Sequence, residues 1–83
     1  MGIRIVHEAE PYRMIADALG RCAVIEARNG RVYSLDCPDR READDTPEGM
    51  ALVAAGAWRS HEQAAERFLF MARGEKHYAE TLW

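Results

Sequence analysis

Residues 21–37 read RCAVIEARNGRVYSLDC, with two apolar, β-prone runs on either side of Asn29-Gly30. Asn and Gly both accept positive φ, which a tight hairpin turn requires. Val24, Ile25, Val32 and Tyr33 suit a pleated, half-buried surface. The stretch therefore predicts a β-hairpin, and the remaining chain is read around it.

Two registers are open. A two-residue loop at Asn29-Gly30 pairs Arg28 with Arg31 and puts Cys22, Val24, Glu26, Tyr33, Leu35 and Cys37 on one face. A three-residue loop with a bulge at Gly30 pairs Ala27 with Arg31. It puts Ala23, Ile25, Ala27, Tyr33, Leu35 and Cys37 together and sends Cys22 to the other side. A slip of one residue exchanges the faces of a strand. The second register has the more apolar face and spares Glu26 an unpartnered burial, so it is favoured.

Upstream, residues 3–7 (IRIVH) are β-prone and predict a strand that pairs with the hairpin, since an isolated two-stranded hairpin is marginal in water. Residues 11–19, from Pro11 to the glycine at 20, predict a helix. Pro11 fits a first helical position, Gly20 fits a left-handed C-terminal position, and Tyr12, Ile15, Ala16 and Leu19 recur at helical spacing. Arg13 and Asp17 then stand four apart on its exposed side.

Downstream, residues 38–46 (PDRREADDT) hold no apolar residue except Ala43 and predict a flexible, charged surface loop. Residues 46–56 predict a second helix, with Thr46 as cap, Pro47 in the first turn, Glu48 at the positive end of the dipole and Gly56 as terminator. Trp58 is expected to plug the gap before a third helix over 60–73, which opens on a Ser60/Gln63 capping box. On that helix Ala64, Ala65, Phe68, Met71 and Ala72 share one face, and Leu69 borders it. Phe70 falls on the opposite side among Gln63, Glu66, Arg67 and Arg73. Gly74 is expected to break or kink the pattern. Residues 75–83 can continue as a helix with Tyr78, Ala79, Leu82 and Trp83 on one side, and are expected to dock on the core or on a partner.

The expected architecture is one small α+β domain over residues 1–83 in the order β-α-β-β-α-α. A three-stranded, mostly antiparallel sheet is covered on one face by helices. Its core is expected to hold Ile5, Ile15, Leu19, Ile25, Tyr33, Leu35, Leu52, Val53, Phe68, Met71 and Leu82.

Composition excludes more than it assigns. The net charge of −3 disfavours nucleic acid as the main partner, since phosphate binding needs a basic surface. Arg21, Arg28 and Arg31 along the hairpin keep that reading third. No apolar run approaches the roughly 20 residues that span a membrane, and no secretory signal opens the chain, so a cytoplasmic protein is expected. Two cysteines and three histidines lack zinc-ligand spacing, and no glycine-rich phosphate loop is present. No cofactor, metal or catalytic residue is therefore assigned.

Two functional classes remain. The first is a non-enzymatic interaction or adaptor module, homodimeric or bound to another protein. Its candidate contacts are Phe70, Arg67, Arg73, Trp83, Arg40 and Arg41, because aromatic residues and arginine are enriched at interfaces. The second is a small enzyme or ligand-binding subunit with Cys37 as a reactive thiol beside Asp36, Asp39 and the charged loop.

Overall fold

The computed structural model describes residues 2–36 and 39–81, with side chains through residue 74. Among these residues the strands are β1 (Arg4–Ala9), β2 (Tyr12–Ala16), β3 (Cys22–Arg28), β4 (Arg31–Tyr33) and β5 (Glu42–Asp44). The helices are α1 (Pro47–Ala54) and α2 (His61–Thr81). The strands form one antiparallel sheet in the order β1-β2-β3-β4-β5, each paired with the next in sequence. The fold is α+β as expected, with five strands where the sequence reading gave three.

The largest correction concerns residues 11–19, which form strand β2 and a loop in place of a helix. Every residue of β2 is buried. Tyr12, Met14 and Ala16 contribute to one core and Ile15 to the other. A strand covered on both faces loses the alternation of apolar and polar residues that marks a half-exposed one. Its apolar run then fits helical spacing by coincidence. Pro11 lies in the β1–β2 turn, where the Glu10–Pro11 peptide is cis, and not in a first helical turn. Leu19 is 80% exposed in the β2–β3 loop. That loop is tied by Asp17, whose carboxylate accepts from the N–H groups of Leu19 and Arg21 and from Arg21 Nε at 2.7 Å. Asp17 thus pairs with Arg21, not with Arg13. Burial pulls its carboxyl upward, but the bonds from Arg21 and Leu19 outweigh this and hold it below its ordinary value.

The hairpin forms, in the register that was not favoured. Arg28 pairs with Arg31 and Glu26 with Tyr33 across a two-residue turn. Asn29 and Gly30 have φ of 53° and 76°, as such a turn demands. Glu26 does not go unpartnered: its Oε2 accepts from Arg28 Nε at 2.6 Å, and Arg40 lies 3.9 Å from Oε1. The cost that argued for the other register is therefore absent. Cys22 is a buried free thiol, and Cys37 lies outside the described residues.

Residues 38–46 were expected to form a structureless loop, yet they contain β5. Ala43, the one apolar residue there, pairs with Val32 and packs toward the core beside it. Its neighbours Glu42 and Asp44 both engage Arg31 on β4. Such charges suit an edge strand, because they discourage pairing with another sheet.

The helices do not share a face of the sheet. Met50, Val53 and Ala54 of α1 pack with Ile15, Ala23, Ile25 and Val32. Ala64 and Phe68 of α2 pack with Tyr12, Met14, Cys22 and Val24 on the other side. The sheet is the middle of three layers, and the expected one-sided cover is corrected. The core changes with it: Ile5, Leu19 and Leu52 are exposed, while Met14, Val24 and Val32 are buried. Leu82 lies outside the described residues. A register shift between Ile5 and His7 turns β1, so that Ile5 pairs with Ile15 while His7 pairs with Met14 and its ring meets Phe68 at 5.9 Å.

One buried charge fastens the α1 side. Arg13 Nη1 donates to Asp45 at 2.7 Å and Arg13 Nε to Glu8 at 3.0 Å. The Asp45 bond does most to raise the Arg13 pKa, outweighing its burial.

Candidate interaction surface on helix α2

Helix α2 begins as the sequence predicts. Ser60 Oγ accepts from Gln63 N–H at 3.2 Å, and Gln63 Oε1 accepts from Ser60 N–H at 3.4 Å, which is the capping box. It does not stop at Gly74 but runs 21 residues to Thr81. At about 1.5 Å per residue it is ~31 Å long, and outreaches the seven-residue β3 at roughly 3.4 Å per residue.

The inner face is filled. Ala64 and Phe68 are buried, and Ala65 and Met71 pack against the same core. Leu69 and Phe70 point away, 48% and 67% exposed. Leu69, read as a border residue, belongs to the outer face. With Glu66, Arg73 and Gly74 these two side chains line an open hollow. The spacing 66, 69, 70, 73 is that of four residues surrounding one hole on a helix surface.

Arg67 holds one flank of this surface in place. Its guanidinium reaches both oxygens of Asp36, with Nη2 at 2.7 Å from Oδ1 and Nε at 3.2 Å from Oδ2. Arg59 adds a contact to the same carboxylate at 3.6 Å. A forked, paired arginine is geometrically fixed. From that anchor Arg67 Cζ lies 5.8 Å from the centre of the Phe70 ring, within cation–π range. Trp58, Arg59 and Gln63 extend the surface into a second hollow shared with Glu66, Arg67 and Phe70. Trp58 also packs toward the α1-side core with Arg21 over its ring, so it is both a plug and a wall.

The structure thus brings Phe70, Arg67 and Arg73 onto one surface. Arg40 and Arg41 lie elsewhere, in the β4–β5 connection. Arg40 is exposed beside Glu26. Arg41 is committed to the fold: Nη1 donates to the carbonyls of Leu52 and Ala55 at 3.1 Å each, at the C-terminal end of α1. Trp83 lies outside the described residues, as does Cys37. Leu69 and Glu66 were not singled out from sequence. Their signal was available in the seven-residue spacing of Glu66 and Arg73 about an exposed Leu-Phe pair.

Among the described residues no three His, Cys, Asp or Glu side chains are grouped to hold a metal ion, and no helix is long and apolar enough to cross a membrane. The chain matches no protein-family model, no curated protein and no solved structure with which it was compared.

Proposed function

We propose that this chain is a small, non-enzymatic protein-interaction module that docks through the outer face of α2. The observation that carries the reading is the exposure of Leu69 and Phe70, side by side, on a helix whose other face already fills the core. Full burial of a Leu or Phe side chain is worth about 1.5–3 kcal/mol, so covering the pair is a substantial driving force for association. The anchored Arg67 and the flanking Glu66 and Arg73 supply the polar rim that such a contact uses.

The second class, an enzyme or ligand-binding subunit around Cys37, has less support. The Asp36 carboxylate is engaged by two arginines, and Ser34 ties the neighbouring loop by bonds to Asp39 O at 3.0 Å and Arg41 N at 2.8 Å. The nucleic-acid reading is weakened likewise, since Arg28 and Arg31 are paired with carboxylates.

Photocrosslinking in cells tests the proposal. A benzophenone amino acid at position 69 is expected to yield a covalent protein adduct, and one at the exposed position 48 on α1 is not. Failure of the position-69 probe to capture any polypeptide contradicts the reading.

A further inference from the structure

The outer face of α2 is not only apolar but arranged symmetrically. Glu66 stands one turn before the Leu69–Phe70 pair and Arg73 one turn after it, and all four line one hollow. The opposite charges are therefore equidistant from the middle of the apolar pair. Neither Glu66 nor Arg73 forms an ion pair within the described residues, whereas Arg67 is bound to Asp36. A face with this pattern is complementary to itself when turned end for end.

We infer that the occupant of this surface is a second copy of the chain, with the two α2 helices packed antiparallel about a twofold axis passing between residues 69 and 70. This rests on the reading of α2 as a docking face and names its partner. In that arrangement Leu69 of one copy meets Phe70 of the other. Glu66 of each lies against Arg73 of the other, so the same ion pair forms twice. A parallel arrangement sets Glu66 beside Glu66 and Arg73 beside Arg73, which is repulsive, so the charges also choose the direction. Glu66, Leu69, Phe70, Arg73 and Gly74 are all exposed, so this part of the outer face is open to a second chain. Gly74, exposed at the rim of the hollow, adds no side chain to obstruct the approach. Two helix faces give a small contact, at the low end of specific interfaces, so the dimer is expected to dissociate on the order of tens of micromolar.

Sedimentation velocity of the full chain over a range of concentrations tests this with four variants. Wild type is expected to sediment as a monomer–dimer equilibrium. Glu66→Arg and Arg73→Glu, each placing like charges together, should each weaken dimerisation at least tenfold. The double variant restores opposite charges in exchanged positions and should recover most of that loss. Phe70→Ala should be monomeric with an unchanged circular dichroism spectrum. Wild type that stays monomeric up to millimolar concentration overturns the inference, as does a double variant no better than the two singles. The photocrosslink separates the two levels of failure. A position-69 adduct of twice the chain mass supports self-association. An adduct with a different polypeptide overturns it and leaves the docking reading standing. No adduct removes both.

Discussion

The two helices lie on opposite faces of one sheet and differ in how they are buried. Helix α1 is short and closed at both ends. Thr46 Oγ1 accepts from Gly49 N–H at 2.9 Å at its start, and Arg41 covers carbonyls at its finish. Four of its eight residues are buried, and its first turn lies against the end of β5. Helix α2 is longer than the sheet it covers and carries apolar side chains on both sides. Phe68 is 7% exposed and Phe70, two positions on, is 67% exposed. A helix needs only one apolar stripe to attach to a sheet. The second stripe, Leu69 and Phe70, lies outside the core clusters and is exposed.

This contrast can be broken or sharpened by substitution. On the α1 side the largest effect is expected at Gly49→Ala. A Cβ there collides with the backbone carbonyl of Asp44, which cannot swing aside as a side chain would. The helix-propensity gain of about 1 kcal/mol is outweighed, and net destabilisation of about 2 kcal/mol or more is expected in urea unfolding. Equal or greater stability would show that α1 is not pressed against β5. Next is Arg41→Ala, which uncovers the carbonyls of Leu52 and Ala55. Loss of two hydrogen bonds from a cation at a helix C-terminus is expected to cost about 1 kcal/mol, read from the same titration. The smallest of these three effects has the opposite sign. A Cβ at Gly74 meets nothing within 4 Å. Gly74→Ala should therefore stabilise the diluted monomer by about 0.5–1 kcal/mol, as in any exposed helix interior. Destabilisation there would mean that α2 is not open to solvent at that position.

The sequence was informative wherever a local signal was not masked by burial. Asn29-Gly30, the Thr46 cap and the Ser60/Gln63 box are determined by neighbouring atoms and appear in the structure where they were expected. Strand β2 was misread because a doubly covered strand has no polar side to alternate with. A different signal was present: turn residues at Glu10-Pro11, Asp17–Gly20 and Asn29-Gly30 recur at intervals of roughly ten residues, the spacing of an antiparallel meander. The register turns on Glu26, whose two arginine partners are not apparent from the strand itself, Arg40 standing fourteen residues away in the β4–β5 connection. The position of Phe70 opposite Phe68 is legible from helical spacing alone; its exposure is not, because a helix can be covered on both sides. The roles of Arg67 and Arg41 were not legible either, because Asp36 and the α1 carbonyls reach them only through the tertiary fold.

The most direct test compares two phenylalanines two residues apart. Urea unfolding of Phe68→Ala and Phe70→Ala is measured at a protein concentration low enough to keep the chain monomeric. Phe68→Ala empties a site shared with Met14, Val24 and His7 and is expected to cost about 3–5 kcal/mol. Phe70→Ala is expected to change stability by no more than about 0.5 kcal/mol, because the residue is 67% exposed and outside the core clusters. Equal losses at the two positions would mean that both faces of α2 are spent on the fold, and would contradict the assignment of its outer face to docking.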